Sequence, residues 1–77
     1  MKPETAIRAA ALRLAADVLE MLDERESDLA EFLADERWQA GIVATTLPEI
    51  EDLPEGIDPA DRAQREVIRQ LMVQALH

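Results

Sequence analysis

The sequence predicts an all-α fold, a small three-helix bundle, from three observations. The apolar residues are mostly Ala and Leu, thirteen and ten of them, against five Ile, four Val, one Phe, one Trp and no Tyr. Ala, Leu, Arg and Glu favour helices, whereas strands draw on β-branched and aromatic side chains. Apolar positions also recur at spacings of three and four, the period of a helix buried along one side. Finally, Pro3, Pro48 and Pro59 stand at the edges of the periodic stretches, where they start or stop helices, and Pro54 falls in the loop between them. A chain of 77 residues has room for a single domain with a small core, because at this size only about 60% of the unfolded surface is buried.

The first helix is expected over 4–24. Pro3 suits a first turn and Glu4 suits the positive end of the helix dipole. Ile7, Ala11, Leu14, Val18 and Met21 recur every three or four residues, flanked by Leu12, Ala15, Leu19 and Leu22. Together they span about half the circumference, so the helix should meet more than one neighbour. The polar run from Asp23 to Asp28 then interrupts the apolar face, and Ser27 or Asp28 can cap a second helix over 28–46. Asp28 and Glu31 have capping-box spacing. Leu29, Phe32, Leu33, Ala40, Val43 and Leu47 would line its inner side, with Gly41 weakening it and Pro48 ending it. No Gly or Pro marks a turn at 23–28, so one continuous rod on the order of 65 Å is the alternative. The hairpin is preferred because uncapped helices beyond about 25 residues are uncommon in globular domains.

Residues 48–57 read as an acidic loop, pinned by Ile50, Leu53 and Ile57. A last helix over 59–76 should follow, with Asp58 as cap and Pro59 at its first position. Its inward residues are Val67, Ile68, Leu71, Met72 and Ala75. The expected core comprises Leu14, Val18, Leu22, Phe32, Leu33, Val43, Val67, Ile68 and Leu71.

Charge is the strongest functional signal. The net charge is −9, and it is segregated: residues 17–36 carry −8 and 49–61 carry −6, while 1–16, 37–48 and 62–77 are weakly positive. Such blocks attract basic surfaces and repel nucleic acid and anionic lipid, so neither direct nucleic-acid binding nor membrane binding is expected. In the first block Asp17, Glu20, Asp23, Glu24, Asp28, Glu31 and Asp35 step by three or four residues, a ladder divided by the turn. Like charges at this spacing destabilise a helix by about 0.2–0.5 kcal/mol per pair, and only Arg25 falls among them. Two readings compete: a solvated face that maintains solubility, and a surface that imitates nucleic-acid phosphates at a few Lys or Arg anchor points of a partner. Glu49, Glu51, Asp52 and Glu55 extend the same chemistry into the loop.

Trp38 is the only Trp. In the phase that turns Leu29 and Leu33 inward it points into solvent, as an interface anchor would. Glu36 then falls on the apolar side, and a phase change past residue 36 or a cover from 48–57 is the competing expectation. Arg62, Arg65 and Arg69 form a stripe expected to pair with the acidic helix rather than with phosphate.

Catalytic groups are scarce. The one His is residue 77, Cys and Tyr are missing, and Ser27 has no base partner, so an enzyme is not expected and no cofactor is implied. Glu49, Glu51, Asp52, Glu55 and Asp58 lack the calcium-loop pattern. Arg8 and Arg13 interrupt the Ala-rich start, which fits neither a signal-peptide core nor a membrane span. With no disulfide possible, a cytoplasmic location is expected.

With fifteen carboxylates and one Arg in 17–36 and 49–61, the chain resembles in size and composition the small acidic inhibitors encoded by phages and mobile elements, anti-CRISPR proteins among them. The resemblance spans the chain as composition and no stretch as sequence, and the weakly positive ends depart from the uniformly acidic mimics. It implies a DNA-mimic mode of action on a CRISPR effector or another DNA-binding protein. The function expected is therefore a non-enzymatic inhibitor or adaptor that binds a basic, nucleic-acid-binding groove of a larger protein. Its partner-binding residues would be Asp17, Glu20, Asp23, Glu24, Asp28, Glu31, Asp35, Trp38, Glu49, Glu51, Asp52 and Glu55. The alternative is a structural or regulatory helical module, a homodimer or accessory subunit, joined through an apolar face with Trp38 at the contact.

Overall fold

The computed structural model describes all 77 residues, which form four helices and no strand. These are α1 (Pro3–Glu24), α2 (Leu29–Ala34), α3 (Glu36–Thr46) and α4 (Arg62–Leu76), with a single 3₁₀ turn at Leu47–Glu49. The all-α bundle expected from composition and period is the fold observed, with α2 and α3 sharing the span foreseen for the middle helix.

α1 begins with Pro3 in its first turn. Its 22 residues correspond to about 33 Å, close to the 35 Å long dimension of the molecule, so α1 is the spine. It ends in a Schellman motif: Ser27 N–H donates to Leu22 O (2.9 Å) and Glu26 N–H to Asp23 O (3.1 Å). Glu26 takes the left-handed position of that motif, φ 53°, which glycine usually fills. This turn excludes the continuous rod. Asp28, rather than Ser27, caps α2 by accepting from Ala30 N–H (2.8 Å).

The middle segment breaks at one residue. Asp35 is extended (φ −117°, ψ 92°) and its carboxylate accepts from Trp38 N–H (3.0 Å), so it closes α2 and caps α3. The break resets the helical phase. Val43 and Leu47 point inward as expected and Gln39 joins them, whereas Ala40, expected inside, is exposed. Trp38 does not point into solvent as the unbroken phase required. It is half-buried, edge-on to Phe32 with ring centroids 5.0 Å apart.

From Leu47 the chain returns along α1. Ile50, Leu53 and Ile57 pack on the core as expected of an ordered loop, and Gly56 (φ 94°) sits third in a turn closed by Ile57 N–H to Pro54 O (3.3 Å), the position that demands positive φ in a type II turn. The last helix starts at Arg62, one turn later than the expected 59. Asp58 accepts from Ala60 N–H (3.0 Å) and makes a local turn, while Asp61 caps α4 through Gln64 N–H (3.2 Å). The Gln64 side chain reaches back to accept from Asp58 N–H (2.7 Å). Asp58 is thus spent on a turn, and the Asp61–Gln64 pair fixes the start.

α4 lies along α1 in the same direction, its first-turn Gln64 beside Ala6 and Ile7 and its later Leu71 and Gln74 beside Ala11 and Leu12. Ala6, Ala10, Ala11 and Ala15 are buried on α1, small enough to admit this close neighbour. Phe32, Leu14, Leu47, Ile68 and Met72 are the largest buried apolar side chains, each contributing about 1.5–3 kcal/mol. Of the expected core, Leu33 and Leu71 are half-buried at its edge, and Val67 is 45% exposed. The inward row of α4 is Ile68, Met72 and Leu76, and Val67 falls outside it.

Candidate partner-binding surface

Every carboxylate singled out in the sequence is exposed: Asp17, Glu20, Asp23, Glu24, Asp28, Glu31, Asp35, Glu49, Glu51, Asp52 and Glu55. The fold does not keep them as one row. Asp28 and Asp35 are helix caps committed to backbone N–H groups, and with Glu31 they belong to α2 and its ends. Asp17, Glu20, Asp23 and Glu24 stay on α1. Glu55 lies at the opposite end, beside Met1, Pro3 and Ile7.

What the tertiary structure adds is a junction between the two acidic blocks. The returning loop runs beside the middle of α1, so that Asp17 lines one open groove with Glu49, Glu51 and Asp52, together with Arg13, Ala16 and Ile50. Arg13 Nε donates to Asp52 Oδ2 at 3.0 Å, an exposed ion pair that fastens loop to helix. The guanidinium holds the Asp52 carboxyl below its ordinary pKa, its hydrogen bond being the largest cause. Arg13 is the only cation in the groove lining. These loop carboxylates and Asp58 do not form a metal cage, and no group of three or more His, Asp or Glu is placed to hold an ion.

No family model, curated protein or solved structure matches this chain.

The Arg stripe of α4 behaves differently from expectation. Arg69 pairs with Glu66 on its own helix, Nε to Oε2 at 3.0 Å and Nη2 to Oε1 at 2.7 Å. Arg65 Nη1 donates to Pro59 O at 2.9 Å. Neither forms an ion pair with the acidic helix, because α4 turns these side chains toward α3: Arg62, Arg65 and Arg69 border a cavity with Ala40, Val43 and Ala44. The hydrogen bonds from Arg69 and Gln70 lower the Glu66 pKa to about 2.

Gln39 is the residue that sequence reasoning missed. It is buried, 1% exposed, and its amide nitrogen donates to Phe32 O (2.8 Å) and Leu33 O (3.1 Å) while its oxygen accepts from Arg69. The signal was its spacing of four and eight from Val43 and Leu47, readable only once Asp35 is known to reset the phase. No helix is long and apolar enough to cross a membrane.

Proposed function

We propose that the protein is a non-enzymatic acidic inhibitor or adaptor that docks on a basic, nucleic-acid-binding groove of a larger protein, in the DNA-mimic manner of anti-CRISPR type. The observation that carries this reading is the groove in which Asp17, Glu49, Glu51 and Asp52 meet across 32 or more residues of sequence, with one Arg among them. Folding brings these carboxylates from two separate acidic blocks of the chain into one local negative field.

A second feature supports a recognition role over simple solubility. The last turn of α1 contains Asp23 and Glu24 and no basic residue. Acids at a helix C-terminus oppose the dipole, typically at about 0.3–1 kcal/mol each. Solubility alone would be served equally by acids placed elsewhere.

Docking of this kind is dominated by charge and weakens with salt. The test is capture of a DNA-binding partner from a host extract, followed by affinity measurement between about 50 and 500 mM salt. Competition by DNA and a steep loss of affinity with salt are expected, and replacing Asp17, Glu49 and Glu51 with Asn and Gln should weaken binding at least tenfold, about 1.4 kcal/mol. Affinity indifferent to both salt and these substitutions rules the reading out.

A further inference from the structure

α1 carries a second apolar stripe that nothing in the fold covers. Leu12 and Leu19 are 55% and 48% exposed, Ala16 lies exposed between them, and exposed Arg8 and Asp23 stand at the two ends. These five positions advance by three or four residues and so share one face of the helix. Four of them are also symmetric about a point between residues 15 and 16, beside which Ala16 stands: Leu12 and Leu19 are equally distant from it, and so are Arg8 and Asp23. A two-fold axis through that point sets Leu12 of one copy against Leu19 of another, and Arg8 against Asp23, at both ends of the contact. This is the self-complementarity that a closed dimer requires.

We infer that this face of α1 is a docking site for a second copy of the chain, packed antiparallel. Charge fixes the direction. Within α1, residues 3–16 carry +1 and residues 17–24 carry −4, so a parallel partner opposes like charges and an antiparallel one opposes unlike charges. Shape agrees with charge. Ala16 near the axis lets two helices approach to about 8 Å, and beside Leu12 a concavity of about 260 Å³ is lined by Arg8, Ala11, Leu71, Gln74 and Ala75. The Leu19 side chain of the second copy fits that hollow as a knob in a hole. Val67, one turn before the half-buried Leu71 and itself 45% exposed, extends the apolar rim onto α4. Ala16 also borders the acidic groove, so the dimer sets two grooves on either side of its axis. The contact does not depend on the partner reading above, and its test contains no partner.

Analytical ultracentrifugation of the purified chain at about 150 mM salt, at concentrations up to about 1 mM, measures the association directly. A reversible monomer–dimer equilibrium in the micromolar range is expected, as befits a contact at the low end of interface size. Leu19→Asp should weaken it at least tenfold. Arg8→Asp and Asp23→Arg should each weaken it about fivefold by opposing like charges, and the combined Arg8→Asp/Asp23→Arg variant should return to within about threefold of the wild type, since the pairs are restored with their signs exchanged. All these positions are exposed, and unchanged far-UV circular dichroism confirms that each variant is folded. A chain that stays monomeric at about 1 mM, a dimer that survives Leu19→Asp, or a double variant no better than the single ones would each overturn the proposal.

Discussion

Arg69 Nη1 donates to Gln39 Oε1 at 2.6 Å, joining α4 to α3 across 30 residues of sequence. Through Gln39 the link continues to the Phe32 and Leu33 carbonyls at the end of α2, and through Arg69 to Glu66. A helix of six residues leaves most of its C-terminal carbonyls without intrahelical partners. Here a buried side chain from the next helix donates to two of them, Phe32 O accepting also from Asp35 N–H (3.2 Å), and every buried polar side-chain atom has a partner.

Replacing Gln39 with Leu should therefore destabilise the fold by about 1–3 kcal/mol, the cost of leaving Leu33 O and the Arg69 Nη1 donor without their partner, read as a lower urea midpoint at unchanged slope. Gln39→Glu should be no milder despite the nearby Arg69, because a carboxylate cannot donate to the two carbonyls. Recovery of wild-type stability by Glu would locate the interaction in the Arg69 contact alone.

Glu66 predicts a specific pH dependence. Its pKa is lowered from 4.5 to about 2 by Arg69 and Gln70, so the ionised form is favoured in the folded state. Its contribution to stability is fully present above about pH 4.5 and disappears as pH falls toward 2. In urea titrations, the stability difference between wild type and Glu66→Gln should shrink over that window. Other acids, relieved of mutual repulsion, act equally on both proteins and cancel in the difference. A constant difference down to pH 2 would contradict the pairing.

Three backbone positions predict changes of opposite sign. Glu26→Gly should stabilise by about 0.5–1 kcal/mol, since glycine meets the left-handed turn without a Cβ penalty. Gly41 lies inside α3 with open space around it, so Gly41→Ala should add about 0.8–1.0 kcal/mol from helix propensity. Gly56→Ala should cost at least about 1 kcal/mol because φ is 94°. Thermal denaturation of the three variants distinguishes these signs directly.

Asp35→Ala removes the cap of α3 and should cost about 1 kcal/mol. Asp35 also enforces the phase change that turns Trp38 onto Phe32. Near-UV circular dichroism and Trp fluorescence should thus shift in this variant more than in Asp28→Ala, which loses a cap without touching the break. Equal spectra would separate the indole's position from Asp35.

The helical class, the limits of α1 and the pinned loop were legible because each rests on local signals: period, caps and prolines acting within a few residues. The same locality explains the misreadings. Continuing one phase through Asp35 placed Trp38 outside and Ala40 inside, since a single extended residue rotates everything after it and leaves little trace in composition. Val67 passed for core because periodicity identifies an apolar flank without saying which edge a neighbour covers. Asp58 carries the cap signal of the sequence, yet Asp61 caps α4, because Gln64 gives its N–H to Asp61 and turns its side chain back across the turn to the Asp58 N–H.

The sequence by itself determined that this chain is an all-α protein with its negative charge in two blocks, because helix propensity and net charge are sums over neighbouring residues. Only the tertiary structure decided that Asp17 meets Glu49, Glu51 and Asp52, that Gln39 serves as a buried junction, and that Leu12 and Leu19 remain uncovered. Those outcomes depend on which helix faces pack together. That choice is made by burying Phe32, Leu47, Ile68 and Met72 in one core, a condition on the whole chain at once.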